Sequence, residues 1–206
     1  MRSIVAVFIA AIASATAAQA QDQAVPAGHM ANGIVGVLAR QDGFQQTTLV
    51  TDRGALQFAV PGDWKEIQLD FKLPVATAVF DVPDPSVLDG ASNTNCSMAF
   101  ADPATPQGQA VIGRVTAFGG DDSQHNGWSV HSKTEAAGTP ATVEVVATRA
   151  QGFVTAVAMC AWSQGGSHDA AYATYMGKQI NTLLDSVTAP PLPFKARPGE
   201  TFIAPQ

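Results

Sequence analysis

Two histidines and two carboxylates crowd one short stretch of this chain. Gly119-Gly120-Asp121-Asp122-Ser123-Gln124-His125-Asn126-Gly127-Trp128-Ser129-Val130-His131 places Asp121, Asp122, His125 and His131 within reach of a divalent ion such as Zn or Mn, which neutral imidazole and carboxylate suit. The spacing matches no paired-His arrangement one helical turn apart, and a polar glycine-flanked segment reads first as a solvated, mobile hairpin connection. A hydrolase built from Ser, His and Asp is the second chemistry to weigh. The chain has four histidines and many serines, but no G-x-S-x-G elbow. His168 beside Asp169 opens a helix, where a capping carboxylate is the ordinary role. Asp63, Lys65 and Glu66 make a charged turn without the paired carboxylates of a glycosidase. Gly33-Ile34-Val35-Gly36 lacks the rest of a dinucleotide fingerprint, and no phosphate loop is present, so no cofactor is expected. The third possibility is a pocket for a small apolar ligand between sheet and helix, which composition cannot tell from a packed core.

Cys96 and Cys160 are the only cysteines. Neither has a Cys, His or Lys beside it to lower its pKa, and Cys160 sits in an apolar strand pattern. In an oxidising compartment the two are expected to pair as a structural disulfide. The amino terminus supplies that compartment. Met1-Arg2-Ser3, the unbroken apolar run from Ile4 to Ala13, and Ala18-Gln19-Ala20 form the positive start, apolar core and small-residue exit of a secretory signal, so residues 1–20 are expected to be removed. The run is too short to span a bilayer, which takes about 20 apolar residues. The protein is therefore expected in a bacterial periplasm or outside the cell.

Composition narrows the functions. The 206 residues are 46% hydrophobic and 14% charged, which excludes a disordered chain. Eleven Lys+Arg against seventeen Asp+Glu give a net charge of −6. Such a surface attracts neither nucleic acid nor anionic lipid, and no other segment is apolar enough to cross a membrane.

The elements that must position these residues are mostly strands. Residues 21–32 read as a flexible arm. Ile34 to Ala39, Gln46 to Thr51, Ala55 to Val60, Trp64 to Leu69, Ala76 to Val82, Cys96 to Ala101 and Ala110 to Phe118 all carry strand patterns. Asp102 to Gly108, with two prolines, reads as an exposed loop. Thr142 to Arg149 and Phe153 to Trp162 read as a hairpin joined by Ala150-Gln151-Gly152, with the second strand central and covered on both sides. Tyr172, Met176, Ile180, Leu183, Leu184 and Val187 recur at helical spacing and mark one amphipathic helix, with Ser167 or Asp169 at its start and Pro190-Pro191 at its end. Residues 189–206 form a Pro-rich extended tail. The sum is one α+β domain over 33–188, a mainly antiparallel β-sheet with a C-terminal amphipathic helix packed on it; a β-sandwich with one helix is the alternative.

Two stretches resemble the PsbP-like fold, used by bacterial periplasmic proteins among others. Leu56-Gln57-Phe58-Ala59-Val60-Pro61-Gly62-Asp63-Trp64 is similar to that family's opening strand and Pro-Gly-x-Trp turn. Phe153 to Trp162, followed by the helix closing on Leu183-Leu184-Asp185-Ser186-Val187, resembles its last strand and helix. The resemblance implies a non-enzymatic protein that acts by binding a protein partner in the cell envelope. Trp64, Trp128, Phe194 and Phe202 are the aromatic side chains through which a ligand or partner would be held. A small-ligand carrier, and a hydrolase or metal-dependent enzyme centred on residues 119–131, are the competing expectations.

Overall fold

The computed structural model describes residues 33–41, 43–51, 54–67, 73–84, 94–135, 141–164 and 169–189. Residues 1–32 and 190–206 lie outside them, and with these the expected signal, the arm, most of the tail, and Phe194 and Phe202. Strands β1 (Gly33–Gln41), β2 (Phe44–Thr51) and β3 (Gly54–Pro61) form an antiparallel three-stranded sheet. A second, seven-stranded sheet runs in the order β4-β5-β6-β10-β9-β8-β7. Its members are β4 (Lys65–Glu66), β5 (Ala76–Val82), β6 (Thr94–Ala101), β7 (Asp121–His125), β8 (Trp128–Glu135), β9 (Ala141–Gln151) and β10 (Val154–Gln164). Every pairing is antiparallel. Two helices complete the described chain, α1 (Pro106–Thr116) and α2 (Asp169–Ser186). The fold is α+β, a mainly antiparallel sheet with its C-terminal amphipathic helix against it.

Strand periodicity sorts the large sheet into two faces. On one, Ala78, Phe80, Met98, Phe100, Ala156, Ala158 and Trp128 meet Leu49, Leu56, Phe58 and Val60 of the small sheet and Met176, Ile180, Leu183, Leu184 and Val187 of α2, all buried in one apolar cluster. The stripe read from the sequence is thus the buried side of α2. On the other face Ala99, Ala101, Val146 and Val157 pack with Val111 and Val115 of α1. β10 is the middle strand of the seven, which accounts for its apolar run.

Five expectations need correction. Residues 110–118 are not a strand but mostly helix α1, and residues 106–108 belong to that helix rather than to a loop. The deciding features are local: Thr105 Oγ1 accepts from the Gly108 N–H at 3.0 Å, and Pro106 occupies the first turn, where its missing N–H costs nothing. Val111 and Val115, one turn apart, then share the buried side. Residues 119–127 are not a plain connection: Asp121–His125 is a strand. Asn126 at φ 45° and Gly127 at φ 82° make the two-residue type I′ hairpin turn that joins it to β8. The β9–β10 link is the two residues Gly152-Phe153, since Gln151 pairs with Val154. Of the run from Trp64 to Leu69, Lys65–Glu66 is the strand, the Ile67 N–H adds one further bond to Val79 O at 2.8 Å, and residues 68–69 lie outside the described residues.

Helix α2 ends at Ser186, ahead of the proline pair. The Ser186 hydroxyl accepts from the Ala59 N–H at 2.9 Å and donates to Leu183 O at 2.7 Å. Thr188 then exchanges two main-chain bonds of 2.8 Å with Gln57. The helix stops because its next residues join the open edge of β3.

Candidate functional site

The hairpin β7–β8 was the densest stretch of potential chemistry, and its register decides what that chemistry can be. Asp122 pairs with His131, and His125 with Trp128. Paired residues share a face, so His131 and Asp122 stand on the α1 side of the sheet while His125, with Asp121, stands on the α2 side. His131 Nδ1 lies 2.6 Å from Asp122 Oδ1, and His125 Nε2 lies 2.8 Å from Asp185 Oδ1 on α2. The sheet separates the two imidazoles, and each meets a different carboxylate. Among the described residues no group of three or more His, Cys, Asp or Glu side chains stands close enough to hold a metal ion. Among the described residues no serine hydroxyl hydrogen-bonds either ring.

The α2 side instead carries a clamp on the helix end. Trp128 is fully buried, and its Nε1 donates to Leu184 O at 3.1 Å. Arg149, on β9, lays its guanidinium 4.7 Å from the Trp128 ring centre and donates through Nη2 to Val187 O at 2.7 Å. These donors meet main-chain oxygens at the helix end, Leu184 O, which also accepts from the Val187 N–H at 3.4 Å, and Val187 O just past the last turn, and the arginine charge opposes the negative end of the helix dipole. Asp185, in that same turn, would be unfavourable alone. Asn126 Nδ2 donates to it at 2.6 Å and His125 faces it, and with Arg149 nearby these hold its carboxyl below the usual range. Burial pulls the Arg149 pKa down, and Asp185 partly offsets this.

On the α1 side Lys133 reaches Glu135 at 2.7 Å and Glu144 at 3.2 Å, with its ammonium 4.4 Å from the centre of the Phe118 ring. The bond to Glu135 is the main cause of its raised pKa. Trp64 is buried against Phe80, and among the described residues its Nε1 has no hydrogen-bond partner. Glu66 titrates above the usual carboxylate range because it is partly buried. Tyr175, stacked on Tyr172 at 5.7 Å, is raised by burial and by the charges of Asp63 and Asp84. Cys96 and Cys160, directly opposite on β6 and β10, form a disulfide with Cα atoms 4.1 Å apart, buried in the main core. Both cysteines are therefore structural. No helix of the described chain is long and apolar enough to cross a membrane.

The chain matches no protein-family model and no curated protein. It is similar in fold to solved structures. A protein of Bacteroides thetaiotaomicron shares 12% identity at a TM-score of 0.44 over 68% of this chain and 47% of that one, so this chain spans about half of its length. The Ran-binding protein Mog1p of Saccharomyces cerevisiae shares 13% identity at a TM-score of 0.45 over 70% of this chain and 95% of that one. A Mog1 mutant gives 12% and 0.44, with the same coverage. The likeness is one of fold.

The residue that the sequence reading passed over is Phe153. Counted there as the first residue of a buried strand, it is 83% exposed, the one large apolar side chain standing in solvent among the described residues. Gly152 at φ 63° makes the turn that lifts it out. A glycine followed by an aromatic between two Val-rich runs was the available signal. At the same end of the sheet lie the Asn126-Gly127 turn and the end of α2, since Ser129 pairs with Thr148 and Asn126 touches Asp185.

Proposed function

We propose that this chain is an exported, non-enzymatic accessory protein that binds a protein partner through the sheet end bearing Phe153. The observation that carries the reading is that exposed ring. It stands on a tight turn between two strands of 11 residues each, so little conformational freedom is lost when it docks. Aromatic side chains of this kind, ringed by polar groups, are the usual anchors of protein interfaces. At the same end of the sheet the polar residues are Asn126, Asp185 and the partly exposed Arg149 and Gln151. Residues 1–20 would direct export to the periplasm or the exterior, and the buried disulfide is consistent with folding where thiols oxidise. The resemblance of Leu56–Trp64 and of the last strand and helix to PsbP-like proteins points the same way.

The test is in-cell crosslinking of the natural exported protein, followed by capture. The wild type should bring down a defined protein, and Phe153→Ala should lose it while melting at the wild-type temperature, because the ring contributes almost nothing to the core. Equal capture by both forms, or a wild type that crosslinks to nothing, overturns the reading. Sequencing the mature amino terminus checks the export step: it should begin at Gln21.

A further inference from the structure

Strand β7 ends the seven-stranded sheet, and no strand lies beyond it among the described residues. Four of its five residues, Asp121 to Gln124, are exposed. An edge like this is a template for another strand unless its side chains forbid it. The five residues read Asp121-Asp122-Ser123-Gln124-His125, and that order complements itself when reversed. We propose that β7 pairs with β7 of a second copy of this chain, antiparallel, with the two-fold axis at Ser123.

Backbone parity selects a set of registers, and charge selects one among them. In a two-residue hairpin the residues flanking the turn, here His125 and Trp128, exchange both main-chain bonds, and alternate pairs along the ladder do the same. His125, Ser123 and Asp121 therefore bond inward to β8. The N–H and C=O of Asp122 and Gln124 point outward. A second β7 must place its own outward residues opposite these, which excludes every one-residue shift. With the axis at Ser123, Asp122 faces Gln124 of the second copy twice over, giving four interchain main-chain bonds. The carboxylate of Asp122 meets a primary amide there. On the other face Asp121 stands opposite His125 of the second copy, whose Nε2 meets Asp185; a protonated ring there donates from Nε2 to Asp185 and from Nδ1 to the incoming carboxylate. Shifting by two residues one way sets Asp122 against Asp122, a like-charge pair in direct opposition. Shifting the other way sets Gln124 against Gln124 and leaves Asp121 without its imidazole. A parallel alignment stacks aspartate on aspartate. The pairing is isologous and closed, so it stops at a dimer. A strand of this length makes a small interface, and the association belongs to the weak, concentration-dependent class.

Sedimentation velocity of the mature protein over a concentration series should show a reversible monomer–dimer equilibrium. Gln124→Pro removes an outward N–H, used twice across the axis, and leaves the inward ladder to β8 intact. It should raise the dimer dissociation constant about tenfold or more with the thermal melt little changed. Ser123→Cys, at the axis, should form an intermolecular disulfide on mild oxidation, and Asp121→Cys should not, since only the axial position faces its own equivalent. A protein that stays monomeric at every concentration, a dimer indifferent to Gln124→Pro, or equal crosslinking at positions 121 and 123 each overturns the proposal. If Gln124→Pro proves unfolded, the Ser123→Cys and Asp121→Cys comparison decides alone.

Discussion

The indole nitrogen of Trp128 donates to the main-chain oxygen of Leu184 at 3.1 Å, and this bond fastens the end of α2 to strand β8. Three other described strands grip the same helix end: β9 through Arg149 on Val187 O, β3 through Ala59 on Ser186, and β7 through His125 on Asp185. Trp64 offers a built-in control, for it is equally buried but its indole nitrogen has no acceptor among the described residues. Trp128→Phe loses packing and the indole donor to Leu184 O, which keeps only the 3.4 Å bond from the Val187 N–H, whereas Trp64→Phe loses packing alone. Urea unfolding should show the first costing about 1 kcal/mol more than the second. Equal losses would mean that the Leu184 bond contributes nothing net.

The disulfide closes a separation of 64 residues within the main core. Replacing both cysteines by alanine should remove about 2–4 kcal/mol, chiefly by releasing the unfolded chain, with a smaller part from the lost sulfur packing. A urea midpoint compared at unchanged m-value measures it. Wild-type protein kept reduced should show nearly the same loss.

Gly108 sits where a Cβ would lie 1.9 Å from the Asp102 carbonyl oxygen. The turn that caps α1 needs that approach, because Asp102 O accepts from the Thr105 N–H at 3.0 Å and its Oδ1 from the Ala104 N–H at 2.8 Å. Gly108→Ala must push the turn and the helix apart, at about 2–4 kcal/mol. Gly113→Ala, with nothing within 4 Å of its added methyl, serves as the comparison and should stabilise the same helix slightly.

Asp185 titrates below the usual carboxylate range, led by the Asn126 bond. A carboxyl whose pKa is depressed on folding adds stability above its unfolded pKa and loses it as pH falls through the folded one. Wild type and Asp185→Asn should therefore differ in melting temperature at neutral pH, wild type higher, and converge in acid. Glu66 runs the other way, since burial raises it. Glu66→Gln should melt slightly above wild type at neutral pH, and that gain should shrink as pH falls and the wild-type carboxyl takes up its proton.

Much of the architecture was legible before any coordinates. The alternation of Leu56, Phe58 and Val60 placed one face of β3, and the step of three and four from Tyr172 to Val187 placed the buried side of α2, because burial against a flat or cylindrical neighbour imposes those periods. The local signals that went unread were short. Thr105-Pro106 marks a helix start, but Val111, Ile112 and Val115 carry strand propensity, and one capped turn outweighs it. Asn126-Gly127 is a hairpin turn by its φ requirements alone, yet the polar strand before it has no apolar alternation to declare itself.

By itself the chain determined the elements with strong periods, the two cysteines that can pair and the polar hairpin segment, since these follow from local conformation and composition. Tertiary structure alone decided which side chains meet. Sheet parity put His125 and His131 on opposite faces, and the docking of α2 gave one of them Asp185 as its partner. The β9–β10 turn left Phe153 in solvent. Face and register are set by pairing between distant strands, and a residue type carries no record of which neighbour a pairing will bring.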